Sequence, residues 1–341
     1  TDIPIYVLAL VIGVYQIFRA TINLVTYVLY RKNNIRPRFR LLLDGILLVF
    51  LGGASLLSST GNSVFQLFVL GAYFFLYGLS NIRDGFLFEG EIGKNHLKRR
   101  IRISLPIVLA ALIPARTLAK VNKFMLENAD EEEDIHLGIV KSGKTAELEI
   151  FVHTAETSLF SAIGHVDICY QGRVISYGNY DPSSETLFGM IGDGVLYFCD
   201  RDKYIDLCKR ESQKTLFGYG IDLTPEMEKA VQKKLAELKQ LTIPWEPSAD
   251  KIMTGDGKED YTYAYKIRHE TDGELYKFIK SKFKSYFVLS TNCVLLADTI
   301  VGQAGTDILS PKGFIAPGTY QAYLNREFEK PNSIVVSKHV Y

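Results

Sequence analysis

Apolar residues follow two different patterns along this chain. Up to about residue 115 they form long runs with very little charge, whereas beyond about residue 145 they alternate with polar residues or recur at helical spacing. Long uncharged runs predict membrane-spanning helices, and alternation predicts half-buried strands. The pattern therefore predicts a helical membrane domain at 1–120, an acidic linker at 121–144 and a soluble domain at 145–341.

Three apolar runs in the first domain are long enough to cross a bilayer, and a fourth is shorter. They cover 3–30, interrupted by Arg19, then Leu41–Leu57, Val64–Ile82 and Ile103–Ala115. The last is uncharged but contains two prolines. We therefore expect three or four transmembrane helices. A signal peptide explains the first run poorly, because no basic region or small-residue cleavage site accompanies it.

Basic residues in the loops predict the orientation of these helices. The loop at 31–40 has five basic residues and no acidic one, and the segment at 94–102 is also basic. The positive-inside rule places both in the cytoplasm. With four spans the soluble domain then lies outside a bacterial cell membrane. If Ile103–Ala115 does not cross, the domain is cytoplasmic.

Small residues recur in the second and third runs, where they favour close packing of helices. The segments GILLVFLGGASLL and LFVLGAYFFLYGLSNIRDG resemble the paired helices of HdeD-like acid-resistance membrane proteins. Such faces also suit pairing with a second copy or with another membrane protein. Arg19 and Asp44 are the ionisable residues of the first two runs, and a structural position near an interface is favoured over a functional one.

Composition narrows the class of function. The chain has 39 basic and 38 acidic residues, so its net charge of +1 argues against nucleic-acid binding. Charged residues make up 23% and aromatic residues 12%, which excludes a disordered chain. We expect a folded protein that contacts both lipid and water.

The soluble domain is predicted to be an α+β fold with an antiparallel sheet. Its predicted strands are Ala146–His153, Val166–Tyr170, Arg173–Tyr177 and Gly194–Cys199, and its first two predicted helices are Pro225–Leu241 and Gly273–Phe283. Gln171 and Gly172 form the turn of a hairpin between the second and third strands. Strands and helices do not alternate regularly, which argues against a doubly wound sheet.

All four cysteines lie in the soluble domain: Cys169, Cys199, Cys208 and Cys293. None has C-x-x-C spacing, so a structural zinc site is not expected, and no motif indicates another cofactor. The even count permits disulfides, with Cys199 and Cys208 the nearest pair. Cys169 and Cys199 lie in strands, where cysteine is more often a small core residue.

Cys293 has a different setting. In LSTNCVLLADTIVG, either Thr291 or Asn292 can cap a helix that ends at Gly302. The sulfur then lies in the first helical turn, where the dipole and free N–H groups favour a thiolate. A nucleophile also needs a base, and His165, at the head of the hairpin, is the best-placed candidate. His153 and His269 in the same domain, and His136 in the linker, are less favourably placed.

A histidine at the head of a hairpin, followed much later by Asn-Cys at a helix start, resembles circularly permuted NlpC-type papain-like proteins. This group includes relatives of lecithin retinol acyltransferase, and the resemblance covers about 145–325. It implies that Cys293 is the nucleophile and His165 the general base. A third residue orients the imidazole in this family; Tyr177 and Asn179 are the candidates, with Asp181 a more distant option.

The resemblance implies acyl transfer through a Cys–His pair, with no cofactor. We expect a membrane-anchored hydrolase or acyltransferase that acts on an acyl-lipid or lipid-linked substrate. Two alternatives remain. One is an amidase or peptidase of the cell envelope, and the other is a non-catalytic membrane stress or binding protein that retains the fold.

Overall fold

The computed structural model describes residues 3–57, scattered residues between 64 and 79, and then 137–141, 146–153, 164–212, 215–253, 257, 259–302, 317–330 and 333–341. The chain divides into two compact units. The N-terminal unit contains the first two helices, and the C-terminal unit contains every element from Leu137 to Tyr341.

The N-terminal unit is built on two long apolar helices, α1 (Ile3–Lys32) and α2 (Phe39–Leu57). Each contains a stretch long and apolar enough to cross a membrane, Ala9–Lys32 in α1 and Phe39–Leu57 in α2. The first two predicted spans are therefore helices of membrane-spanning length. Of the predicted third span only scattered residues are described, and Ile103–Ala115, the basic segment at 94–102 and the acidic residues of the linker lie outside the described residues.

Glycines let α1 and α2 approach closely, as the small-residue pattern predicts. A Cβ atom on Gly45 would meet Leu24 at 2.8 Å, and one on Gly52 would meet Ile17 at 2.9 Å. Larger residues at either position would push the helices apart. Gly53 has no such neighbour. Asp44 lies 3.8 Å from the guanidinium of Arg40, one turn away, which supports a structural role for its charge.

The C-terminal unit contains a nine-stranded antiparallel sheet in the order β1-β13-β7-β2-β3-β4-β6-β11-β8. The strands of the unit are β1 (Leu137–Val140), β2 (Leu148–His153), β3 (His165–Tyr170), β4 (Arg173–Gly178), β5 (Ile191–Asp193), β6 (Val195–Asp200), β7 (Leu216–Ile221), β8 (Thr242–Pro244), β9 (Lys251–Met253), β10 (Glu259–Tyr261), β11 (Glu274–Phe278), β12 (Ser285–Phe287) and β13 (Val335–Val340). Two small two-stranded sheets, β5 with β12 and β9 with β10, complete the strands of the described part.

Helices cover both faces of the large sheet. They are α3 (Arg201–Ser212), α4 (Pro225–Lys239), α5 (Tyr263–Glu270), α6 (Cys293–Val301) and α7 (Pro317–Glu329). One apolar core joins side chains such as Val166 and Ile168 to α4, α6 and α7, and a second joins Cys169 and Tyr197 to α3 and α5. This division follows from strand geometry, because successive side chains point to opposite faces.

The local sequence accounts for most of these elements. The hairpin of β3 and β4 turns at Gln171 and Gly172, both with positive φ, as predicted. Thr224 caps α4 by accepting a hydrogen bond from the Met227 N–H, with Pro225 in the first position. The predicted helix at Gly273–Phe283 is wrong: Glu274–Phe278 is a strand, paired on both sides. Burial of Leu275 and Phe278 within the sheet outweighs local helix propensity there.

Candidate functional site

Cys293 is the first residue of α6, and the side chain of Asn292 caps that helix. The Asn292 Oδ1 accepts a hydrogen bond from the Leu295 N–H at 3.1 Å. The sulfur therefore lies at the positive end of the helix, where backbone N–H groups have no intrahelical partner. Cys293 is only 3% exposed. The apolar residues of the same helix, including Val294 and Leu296, anchor it against the sheet.

His165 is the first residue of β3 and lies at the end of the sheet. The ladder between β3 and β4 has three residue pairs and stops at Ile168 and Ile175, so β4 does not pair with the His165 end of β3. Cys293 and Asp167 both lie beside the His165 ring, and both raise its pKa. A quarter of the His165 side chain is exposed, far more than the sulfur beside it.

Asp167 is the buried centre of this cluster, and sequence analysis did not single it out. Its Oδ2 lies 2.7 Å from His153 Nε2 and accepts a hydrogen bond of 2.5 Å from the Tyr204 hydroxyl. Its Oδ1 lies 2.9 Å from His165 Nε2, in an ion-pair contact without hydrogen-bond alignment. The carboxylate thus bridges two imidazoles that end neighbouring strands, β2 and β3.

Two further hydroxyl groups hold the His165 ring. Ser176 Oγ lies 2.9 Å and the Tyr180 hydroxyl 3.0 Å from His165 Nε2, and the two oxygens lie 2.9 Å apart. The ring of Tyr180 packs edge-on against His165. One ring nitrogen therefore faces three oxygens, which together fix the orientation of the imidazole ring.

These contacts shift the pKa values of His165 and Asp167 in opposite directions. Burial alone would lower the pKa of His165, but the charge of Asp167 and the contact with Cys293 outweigh it and hold the pKa well above the usual value. Burial would raise the pKa of Asp167, but the positive charge of His165 and the hydrogen bond from His153 hold it far below its usual range. Both shifts favour a protonated imidazole beside an ionised carboxylate.

Tyr286 is another neighbour of the sulfur. Burial raises the pKa of its hydroxyl well above the usual value, and the neighbouring Cys293 adds to that shift. Tyr286 lies in β12, the strand that precedes α6. A hydroxyl and a helix N-terminus therefore meet at the sulfur, a donor set that suits a developing oxyanion.

The predicted orienting residues lie elsewhere. The Tyr177 hydroxyl donates to the Phe283 carbonyl at 2.9 Å, in the core that also contains Cys293 and on the opposite face of the sheet from His165. The Asn179 amide donates to the Gly189 carbonyl at 3.4 Å. Asp181 caps a short 3-10 helix at Pro182–Ser184 and forms an ion pair with Lys277 at 2.5 Å. Ser176, Tyr180 and Asp167 make the contacts to His165 instead.

The remaining cysteines are buried, and all four are free thiols, including Cys199 and Cys208. Within the described residues no group of three His, Cys, Asp or Glu side chains is arranged to hold a metal ion.

The chain matches no protein-family model, no curated protein and no solved structure.

Proposed function

We propose that this chain is a membrane-anchored, cysteine-dependent acyl-transfer enzyme that acts on an acyl-lipid or lipid-linked substrate. The observation that supports it most strongly is that Cys293, at a helix N-terminus, lies beside His165 and helps Asp167 to raise the pKa of that imidazole. A thiol and an imidazole in this relation are the nucleophile and the proton carrier of thiol acyl transfer. The two membrane-length helices favour a substrate held in a bilayer.

The reaction has two halves. In the first, the Cys293 thiolate attacks an ester or amide carbonyl, and the resulting oxyanion receives hydrogen bonds from the Tyr286 hydroxyl and the N-terminal N–H groups of α6. His165 gives its proton to the departing alcohol or amine, which leaves a thioester on Cys293. In the second, water or an acceptor gives a proton to neutral His165 and attacks the thioester, which restores the thiolate–imidazolium pair.

Asp167 is a positioning residue in this scheme rather than a catalytic one. It touches His165 but not Cys293 in the contacts above, and it stabilises the imidazolium as the acid of a triad does. His153 and Tyr204 hold the carboxylate in turn. Because Cys293 is 3% exposed while His165 is a quarter exposed, the carbonyl approaches from the side of His165.

The test is ester turnover by the full chain in lipid nanodiscs, with p-nitrophenyl acetate as the soluble ester, p-nitrophenyl palmitate as the bilayer ester and a short peptide amide as the envelope-type substrate. The C293A variant should lose at least about 100-fold in kcat/KM, within the range expected of a nucleophile. The matched control is C169A, which removes another buried thiol from the strand of His165.

Equal activity in C293A and the wild type would overturn the proposal. Faster cleavage of the peptide amide than of either ester would favour the envelope amidase or peptidase instead. Binding of lipid without turnover of any of the three substrates would favour the non-catalytic alternative.

A further inference from the structure

The segment between the 3-10 helix at Pro182–Ser184 and β5 presents two large apolar side chains to solvent. Phe188 is 93% exposed and Leu187 is 56% exposed. Both have positive φ, at 58° and 50°, and Gly189 follows at 80°. Non-glycine residues rarely adopt this region, so a run of three is an unusual local structure. We call Leu187 and Phe188 the apolar tip.

Hydrogen bonds hold the tip in place. Thr186 and Ile191 pair across its base, with N–H to carbonyl distances of 2.8 and 3.2 Å, and the Met190 N–H donates to the Leu187 carbonyl at 3.2 Å. The tip is therefore a closed turn that holds its side chains outward, rather than an open loop that could fold them inward. Large exposed apolar side chains on an ordered turn are typical of a surface that another phase or molecule covers.

The tip is also close, through the backbone, to the reactive cysteine. The strand after it, β5, pairs with β12, and the Val288 N–H donates to the Met190 carbonyl at 3.0 Å. Val288 in turn accepts a hydrogen bond from the side chain of Asn292, the cap of the Cys293 helix, at 3.0 Å. The β12 strand and the residues that follow it therefore connect the tip, through hydrogen bonds, with the N-terminus of α6.

We infer that the apolar tip inserts into the interfacial layer of the lipid bilayer in which the chain is anchored. Two helices of membrane-spanning length in the same chain keep the bilayer at high effective concentration, which a separate protein partner does not share. An aromatic and an aliphatic side chain together suit the boundary between headgroups and acyl chains. The inference deepens the proposed function, on which its second half rests: insertion brings an acyl-lipid ester to Cys293.

The lack of charged residues in the tip predicts that its insertion is hydrophobic rather than electrostatic. Residues 186–192, TLFGMIG, carry no charge, and Glu185 at the base is acidic. Burial and the neighbouring Asp181 raise the pKa of Glu185. No basic side chain in this turn attracts anionic headgroups. Insertion is therefore hydrophobic, and we expect it in zwitterionic lipid and at both low and high salt.

Fluorescence of the full chain in nanodiscs tests the insertion directly. Trp245 is the only tryptophan, so W245F gives a dark background into which F188W is introduced. M253W in the same background is the matched control, because Met253 is 67% exposed on the separate β9–β10 sheet. Phospholipids with brominated acyl chains should quench the F188W protein at least about twofold more than the M253W protein, since bromine quenches only at membrane depth.

Equal quenching of the two proteins would overturn the inference. So would a blue-shifted F188W emission that brominated lipid does not quench, because that result means that protein covers the tip. Loss of quenching at high salt would also contradict it, since it would make the contact electrostatic.

A second readout links the tip to turnover. In the L187S/F188S protein, the ratio of p-nitrophenyl palmitate to p-nitrophenyl acetate turnover should fall about tenfold, because only the first ester resides in the bilayer. An unchanged ratio would contradict delivery of lipid by the tip. If C293A retains acetate turnover while F188W is quenched, the proposed function fails and insertion stands. If C293A is inactive and F188W is not quenched, only insertion fails.

Discussion

The four cysteines of the C-terminal unit are buried to almost the same degree but lie in two chemically different regions. Cys169, Cys199 and Cys208 are 5%, 0% and 4% exposed, and Cys293 is 3% exposed. The first three lie in the core between the sheet and α3, whereas Cys293 lies at the sheet end beside His165. Burial therefore does not distinguish them, and their neighbours do.

In the first region burial alone dominates the chemistry. It raises the pKa of Cys169 and of Cys208 to about 12, and it raises that of Cys199 further still. These thiols are held neutral and unreactive. In the second region Cys293 lies beside His165, and Asp167 holds the pKa of that imidazole above its usual value. Cysteines buried to the same degree therefore differ in whether an imidazole of raised pKa lies beside them, and we expect that difference to govern their reactivity.

Removal of the Asp167 carboxylate should lower the stability of the fold more than any other substitution considered below. D167A leaves two imidazoles and the Tyr204 hydroxyl without their shared acceptor, and should lower the free energy of unfolding by about 3–5 kcal/mol. D193A is the control, because Asp193 makes an ion pair with Lys277 at 2.9 Å but is half exposed, which should cost under about 1 kcal/mol. Thermal unfolding in detergent, followed by Trp245 fluorescence, measures both. Equal losses of stability in D167A and D193A would mean that the contacts of Asp167 contribute no more than an exposed ion pair does.

Alkylation separates the two cysteine regions directly. Iodoacetamide at neutral pH should modify Cys293 at least about 100-fold faster than the other three thiols, since only a thiolate reacts. H165Q, which retains hydrogen bonding but loses the charge, should bring the Cys293 rate down toward the others. Peptide mass spectrometry gives the rate at each site. An alkylation rate at Cys293 that is the same in H165Q and the wild type would show that His165 does not activate the thiol.

Stability should depend on pH through His165. Its folded-state pKa lies above the usual value of about 6.5, so the folded protein holds this proton more tightly than the unfolded chain does. The stabilisation is complete below about pH 6.5 and is lost as the pH rises through the folded pKa, at about 1.4 kcal/mol per unit of pKa difference. Denaturation midpoints of the wild type and H165Q at pH 6 to 9 test this, and parallel curves would contradict it.

The smallest effect should follow from one hydroxyl group. S176A removes an oxygen that lies 2.9 Å from His165 Nε2 and 2.9 Å from the Tyr180 hydroxyl, and should cost about 1–2 kcal/mol of stability, the typical value of one or two hydrogen bonds. The Cys293 alkylation rate should fall only a few-fold, because Tyr180 and Asp167 still hold the ring. S184A is the control, because the Ser184 hydroxyl donates to the Asp181 carbonyl and makes no contact with His165. A loss of stability in S176A as large as that in D167A would mean that Ser176, rather than Asp167, is the main support of the His165 ring.

Sequence reasoning reached the Cys293 helix and the His165 hairpin because both have strong local signals. A capping Asn before an apolar run, and a Gln-Gly turn between alternating strands, are determined by nearby residues. Asp167 was missed although its signal was present. It lies two residues after His165 in the strand, hence on the same face, and an aspartate in the strand HVDICY needs a partner.

The orienting contact was expected at Tyr177 or Asn179 because of an error of strand parity. With Tyr170 opposite Arg173, Asp167 is on the same face as Ser176, whereas Tyr177 belongs to the face of Val166. The sequence ranks His153 below His165 because it ends the preceding strand, but β2 pairs with β3 and places His153 opposite His165. Cross-strand neighbours of this kind follow from tertiary pairing, which single segments do not encode.

The central claim is that Cys293 carries an acyl group during turnover. The most direct measurement is intact and peptide mass spectrometry of the full chain in nanodiscs, quenched in acid after mixing with p-nitrophenyl palmitate. The account predicts a hydroxylamine-labile palmitoyl adduct on the peptide that contains Cys293, formed quickly in the wild type, slowly in H165Q and not in C293A. Turnover without an adduct on Cys293, or an adduct that forms equally fast in H165Q, would contradict it.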